Sequence, residues 1–349
     1  MKKCNRCKGV SNPSLSLLAK VCGVSTATAS RALAGHPAVR AEVRAKIEAA
    51  AAKHGYRRNE LVGKMMSHLR TGRTEKFLGN LAVIHVPSAA QPKLLPAQRR
   101  CIAGAVARAK ELGFKLYEFS FGQDGLDAVG YGRMLRARGV QGVILLFAEP
   151  TGLLADFPLG EFATIEIDYG QPDPTLHTVC LDHFGTLTSA LDRLEALGYR
   201  RIGLFVSQFK DQRIRHKWSA AFASYQRHSG QIGAVPMLIE GELNEAVFRK
   251  WRKAHGPDLV LGHMDEAVGW LQKAGVRVPQ ETAFFSLSWT ERNRACAGLD
   301  LRLELQGAVA AEAVIAQIQR GERGPPDDPR KIMVRGRWMD GPTIRTATG

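Results

Sequence analysis

Thr26, Ala27, Thr28, Ser30 and Arg31 lie within six consecutive positions and carry short or polar side chains that can approach another surface closely. A guanidinium forks hydrogen bonds to a guanine edge or pairs with a phosphate, alanine contacts a thymine methyl, and hydroxyls reach phosphate oxygens. The chemistry on offer is recognition, with no bond made or broken. Charge points the same way: residues 1–76 hold 16 Lys and Arg against 4 Glu and no Asp, a net +12 out of the chain's +16, so the other 273 residues carry only +4. Such concentration is the footprint of a phosphate-binding module, whose affinity falls steeply with salt. A membrane surface or RNA would also attract it, but no helix opposes a basic face to a large Trp/Phe/Leu face and no aromatic stacking pattern is present.

Other chemistries find less support. Cys4, Cys7, Cys22, Cys101, Cys180 and Cys296 are scattered without a disulfide framework. Cys4 and Cys7 form a C-x-x-C pair, yet zinc needs two further ligands and no second pair lies nearby, so a basic leader is expected rather than a metal site. The G-x-x-x-x-G-K-[ST], H-E-x-x-H and G-x-S-x-G patterns are absent, and Gly130-Tyr131-Gly132 lacks the third glycine of a dinucleotide fingerprint. Neither catalysis nor a cofactor is expected. His85, His183 and His263 read as satisfied loop or core groups. No run of 18 apolar residues exists and MKKCNRCKGV lacks a signal peptide's apolar segment, so a cytoplasmic protein without membrane contact is expected.

The elements that present the first group follow from periodicity. Leu15, Leu18, Ala19 and Cys22 recur at i, i+3, i+4 and i+7, the stripe of an amphipathic helix that Ser14 is placed to cap. Gly23 supplies a positive-φ turn, and Ser25 precedes a second helix, about Thr26 to Leu33, whose apolar side is Ala29, Ala32 and Leu33. A third helix buries Val43, Ile47, Ala50 and Ala51 and stops at Gly55. This is either a three-helix scaffold of any purpose or the geometry that lays a recognition helix in the major groove.

The run LAKVCGVSTATASRALAGHPAVRAEVRAKIEAAAAKHGYRRN resembles the DNA-binding head of the lac repressor family, through Ala19, Gly23-Val24-Ser25, Thr28, Ser30-Arg31, Val39, Arg44, Gly55-Tyr56 and Asn59. The resemblance assigns Thr26 and Ala27 to base-edge reading and Arg31 to a base or phosphate. Ser25, Thr28 and Ser30 become phosphate contacts or local caps. Arg40 replaces the family's usual Ser, losing an N-cap worth about 1 kcal/mol and offering a phosphate contact instead. Tyr56 and Asn59 are carried over as DNA contacts. ELVGKMMSHLRTGRT then corresponds to the hinge helix, which in this family folds on DNA and pushes an apolar side chain into the minor groove. It is about one turn longer than the common pattern, so the wedge is Met65, Met66 or Leu69, with Met65 favoured by counting from Asn59.

From Leu78 onward short apolar runs alternate with amphipathic segments. Strands are expected at Leu81–Val86, Lys115–Phe119, Gly142–Phe147, Phe162–Ile167, Arg201–Val206, Pro236–Ile239, Asp258–Leu261 and Ala283–Leu287. Helices are expected at Ala97–Leu112, Leu126–Arg138, Thr186–Leu197, Arg215–His228 and about Leu303–Arg320, before a last strand. The βαβα rhythm implies parallel sheets with helices on both faces. The expected class is α/β: an all-α helix-turn-helix head followed by a two-lobed, doubly wound domain like the periplasmic sugar-binding proteins. The boundaries are a leader at 1–13, the head at 14–58, the hinge helix and linker at 59–76, and an effector-binding and dimerisation domain at 77–349.

Ligands of such sheets sit outside the strand carboxyl ends. Asp168 follows a strand and is either an acidic sugar contact or a solvent-facing loop carboxylate. DQRIRHKW resembles a family arginine segment, which makes Arg215 the first effector contact and Arg213 the fallback; Trp218 either stacks on a sugar or is buried. LVLGHMDEAVGWLQKAGVRVPQETAFFSLSW resembles a family stretch in which Asp265 caps a helix. Met264 replaces the usual Asn there, and Ser288 replaces an Asp that holds sugar hydroxyls, with Trp289 beside it able to compensate by stacking. The resemblance implies a homodimeric regulator, a repressor by default, that binds a near-palindromic double-stranded operator under control of a small-molecule effector, a sugar or related metabolite. The alternatives are an effector-independent repressor or architectural protein with a degenerate cleft, and a sugar-binding or processing protein with an incidental helical head.

Overall fold

The structure, a computed structural model, describes residues 15–33, 39–54, 77–87, 93–122, 125–147, 156–168, 175–229, 235–291 and 295–345. The chain divides into two compact units, residues 1–74 and 75–349.

The first unit contains α1 (Leu15–Cys22), α2 (Thr26–Leu33) and α3 (Ala41–Lys53). Leu18, Ala19 and Cys22 are buried with Ala29, Ala32, Val39, Ile47 and Ala51. Small residues at these positions let the helices approach closely. Gly23 takes φ +69°, which lets the Val24 N–H donate back to the Ala19 carbonyl at 2.9 Å and end α1 sharply. Ser25 Oγ accepts the Thr28 N–H at 3.0 Å, the cap expected of it. Arg40 occupies the N-cap position of α3 without a side-chain cap bond. Ser14 and Gly55 lie outside the described residues.

In chain order the second unit runs β1 (Gly79–Val86), α4 (Pro96–Glu111), β2 (Phe114–Ser120), α5 (Ala128–Ala137), β3 (Val140–Phe147), β4 (Ala163–Ile167), β5 (His177–Leu181) and α6 (His183–Ala196). It continues with β6 (Ile202–Ser207), α7 (Gln208–Arg213), α8 (Lys217–His228), β7 (Leu238–Glu240), α9 (Glu245–His255), β8 (Leu259–Gly262), α10 (Glu266–Lys273) and β9 (Ala283–Trp289). The last elements are β10 (Ala297–Asp300), α11 (Leu303–Arg320), β11 (Lys331–Val334) and β12 (Arg337–Met339).

Two sheets result, ordered β11-β5-β4-β3-β1-β2 and β12-β10-β9-β8-β6-β7. All pairings are parallel except β10 with β12. Near-continuous apolar strands such as Leu81–Val86 are buried throughout, as strands covered on both faces must be. The chain passes between the lobes after β5, after β10 and between β11 and β12. Arg335 and Arg337 on the last crossing reach Asp182 (3.8 Å) and Asp300 (3.0 Å) on the other two. Arg100 of α4 adds a bidentate pair to Glu304 at 2.5 and 2.7 Å.

Several elements differ from the sequence expectations. The five-residue β5, the four-residue β10 and the helix α9 were not anticipated, the strands being too short to show a period. The helix expected at Arg215–His228 starts two residues later, at Lys217, because Arg215 (φ +56°) and His216 (φ +57°) are left-handed, and a separate short helix, α7, precedes that reversal. Buried Asp211 stabilises the break: its carboxylate accepts the Ser219 hydroxyl at 2.7 Å, the Ser219 N–H at 3.2 Å and His216 Nδ1–H at 2.9 Å, and so caps α8 from outside.

Helices α4 and α11 pack backbone to backbone through a reciprocal pair of glycines. A Cβ on Gly104 would lie 1.9 Å from the Glu304 carbonyl oxygen, and one on Gly307 would lie 1.8 Å from that of Cys101. Only glycine permits this approach, which aligns the amino ends of both helices. No helix among the described residues is long and apolar enough to cross a membrane.

Candidate functional site

On α2, Thr26, Ala27 and Arg31 are exposed, while Ala29 and Ala32 are fully buried beneath them. Ser30 and Thr28 are half-buried, and the Thr28 hydroxyl lies 2.8 Å from that of Ser25. Local capping thus occupies the Ser25 and Thr28 hydroxyls, and the residues of α2 that are exposed among those named are Thr26, Ala27 and Arg31. Arg40 is exposed at the start of α3. Tyr56, Asn59, Met65 and Leu69 lie outside the described residues.

In the body, a cavity of about 250 Å³ is lined by residues that follow strands of both sheets. Asp168 enters from the end of β4 with φ +74°, a turn held by its N–H donating to the Val179 carbonyl at 2.8 Å. His183 follows β5, Lys210 and Arg213 come from α7 after β6, His263 follows β8, and Ser288 ends β9. Gln98 of α4 and Gln306 of α11 line the same space, brought there by the glycine-mediated pairing of their helices.

Arg213 forms an ion pair with Asp168, joining the second lobe to the first across the cavity. Lys210 is open to the cleft, yet protein surrounds it closely enough that desolvation, and then Arg213, hold its ammonium below the usual lysine range. Burial holds His183 down to about 4 and His263 down to about 3, so both are neutral at pH 7. Nδ1–H of His183 donates to the Leu181 carbonyl at 3.0 Å, leaving Nε2 an acceptor; its ring meets Trp218 edge-on at 4.8 Å. The backbone N–H of Ser207 donates to Nε2 of His263 at 3.4 Å, which leaves Nδ1 carrying that ring's proton. Burial also pushes the Cys101 thiol up to about 12, making it an inert part of the wall.

Of the residues named from sequence, Asp168, Trp218, Ser288 and the fallback Arg213 line the cavity. Trp218 is only 4% exposed and offers an edge rather than an open face. Arg215 does not line it: the two left-handed residues reverse the chain after α7, and Arg215 is left exposed outside the cavity wall. Met264 packs into the apolar cluster around Phe205 and Phe248. Asp265 sits at the N-cap position of α10 in helical conformation and makes no side-chain cap bond, correcting the role expected of it. Trp289 donates its indole N–H to the Cys296 carbonyl at 3.1 Å and is likewise absent from the wall.

Sequence reading missed Lys210, His183, His263, Gln98 and Gln306. The signal existed for three of them: each lies just beyond a strand, the position that singled out Asp168. His183 was passed over because β5 was not recognised, whereas the glutamines open helices and carry no strand-end signal.

The model of bacterial regulatory proteins of the lacI family matches residues 15–59, and that of a periplasmic binding protein-like domain matches residues 191–343. The HTH-type transcriptional regulator PtxS of Pseudomonas plecoglossicida is 30% identical over 253 residues, covering 71% of this chain and 69% of its own. The chain belongs to the lacI family. This lacI-family member is also 27% identical over 257 residues to PtxS of Pseudomonas putida, covering 71% and 70% of the two chains. Its fold matches the lac repressor dimer bound to operator and the anti-inducer ONPF with a TM-score of 0.55 at 17% identity, over 96% of this chain and 100% of that one. The complex of the transcriptional regulator CelR with cellobiose gives 0.54 at 19% identity, over 95% and 99%. The protein is therefore a DNA-binding transcriptional regulator with a periplasmic-binding-protein-like effector domain, and no enzyme.

Proposed function

We propose that two copies of this regulator bind the half-sites of a near-palindromic operator through the exposed face of α2, under control of a small molecule in the interlobe cleft. Thr26 and Ala27 read base edges, and Arg31 a base or phosphate. Residues 14–58 act as the head and 59–76 as hinge helix and linker, with Tyr56 and Asn59 at the DNA and Met65, Met66 or Leu69 as the minor-groove wedge. Residues 77–349 bind effector and dimerise. The lac repressor, a dimer on its operator in the solved structure, supports the dimeric arrangement. A protein that reads genomic DNA works in the cytoplasm.

One observation carries the effector half: side chains from both lobes converge on a single cavity, and an ion pair between Asp168 and Arg213 spans it. A ligand touching both walls favours one lobe arrangement, and operator affinity changes by no more than that difference in affinity. Selecting bound sequences from a random duplex pool at roughly 0.15 M salt tests the DNA half. A two-half-site palindrome of about 14 to 20 base pairs is expected. Enrichment of nothing above background would overturn it.

A further inference from the structure

The cavity wall is poor in carboxylates to accept from sugar hydroxyls, its other acceptors, such as Nε2 of His183, being neutral. Asp168 is already engaged by Arg213, and among the described residues no second carboxylate lines the cavity. Ser288 stands at the end of β9, while Met264 and Asp265 belong to other surroundings. A polyhydroxylated ligand needs several such acceptors at fixed positions.

Cations and apolar surface dominate instead. Lys210 and Arg213, three residues apart on α7, both reach the cavity. Among the described residues Lys210 makes no ion pair, and the two histidines are neutral and add no charge. Two cations and one carboxylate thus line the cavity, while Asp265 and Glu266, outside its wall, lie near enough to act on Lys210 through space. Leu95, just before α4, and Phe209 on α7 line the cavity from different lobes and stay 45% and 47% exposed, large apolar groups left open to a ligand.

We propose that the effector is a small organic anion whose carboxylate or phosphate is bound by Lys210 together with Arg213, its body lying against Leu95, Phe209 and the edge of Trp218. This rests on the cleft being the effector site. The anion competes with Asp168 for Arg213, so its arrival alters the ion pair that spans the lobes. Ligand charge is thereby coupled to lobe arrangement.

The test uses the full-length protein with matched probe pairs: benzoate and benzyl alcohol, galacturonate and galactose, glucose 6-phosphate and glucose. Thermal melting and affinity for the selected operator are the readouts. In at least one pair the charged member is expected to bind about tenfold or more tighter than its neutral partner, and the pairs separate carboxylate from phosphate. Lys210→Met should weaken that binding about tenfold or more, whereas Lys250→Met on the exposed side of α9 should not. Neutral members binding as well as charged ones, silence from every pair, or full affinity in Lys210→Met would each overturn the anion proposal. Ser288→Trp, which fills the cavity, separates the two levels. If it abolishes binding of a neutral probe while the unliganded melting curve stays cooperative, the cleft stands and the anion falls. Binding indifferent to Ser288→Trp would discard the cleft itself.

Discussion

Thr26, Ala27 and Arg31 reach solvent from one eight-residue helix whose opposite face, Ala29 and Ala32, is buried, whereas Asp168, Lys210, His263 and Gln306 reach the cleft from four separate elements of two lobes. The exposed face of α2 depends on a cap and a turn, interactions spanning three to five residues. The cleft depends on contacts such as that between α4 and α11, some two hundred residues apart in sequence. Local construction makes the head tunable by small energies, and the cleft inherits the larger energies of backbone packing.

The sharpest way to break this contrast is Gly307→Ala. Its Cβ would lie 1.8 Å from the Cys101 carbonyl oxygen, so α4 and α11 must separate. A loss of about 3 kcal/mol or more is expected in the body's denaturation transition. Wild-type stability in this variant would mean that the helix ends lining the cleft are not held by that contact.

Glu166 gives an effect nearly as large, but only as a function of pH. Burial pushes this β4 carboxyl up to about 7 from an ordinary 4.5, against a hydrogen bond donated by the Thr178 hydroxyl at 2.8 Å. Between those values the folded chain keeps a proton that the unfolded chain has released, so stability falls as pH rises from 4.5 to 7 and levels off above. Its full span is about 3 kcal/mol. His183 and His263 act with the opposite sign, since the unfolded chain protonates first as pH drops below 6.5. Urea denaturation of wild type against Glu166→Gln isolates the carboxyl, with the variant gaining relative stability across that window. A difference that does not vary with pH would show that Glu166 titrates normally.

Arg31→Ala sharpens the head's side of the comparison. It should cost about 1 to 3 kcal/mol on the selected operator and less on random duplex if Arg31 forks a guanine. Equal losses on both, measured by fluorescence anisotropy, would make it a phosphate contact. The smallest effect is expected for Ser25→Ala, which removes the 3.0 Å cap bond to the Thr28 N–H and should cost about 1 kcal/mol of α2 stability. Amide exchange at Thr28 reads it directly; unchanged protection there would mean that water replaces the hydroxyl.

Particular residues show how far reading the chain could go. The second helix, expected at Thr26 to Leu33, spans those residues, as does the last long helix at Leu303–Arg320, because local signals bound them: the Ser25 cap before the first and Gly321 after the second. Arg213 and Arg215 lie two positions apart with the same chemistry, and only the reversal at Arg215 and His216 separates the one lining the cleft from the one outside it. Lys210, Gln98 and Gln306 sit in elements whose periodicity was legible or partly so, but nothing local says that their ends meet.

Reading the chain alone suffices for the three-helix head, its charge, the alternation that makes two mainly parallel sheets, and the resemblance to the lac repressor family. These rest on interactions between residues a few positions apart, or on patterns repeated along the chain. Which side chains form the cleft, and that its cations outnumber its carboxylate, was decided only by the tertiary structure. The chain changes sheets between lobes, and Gly104 and Gly307 each abut the backbone of a helix some two hundred residues away, so neighbours in the wall are strangers in sequence.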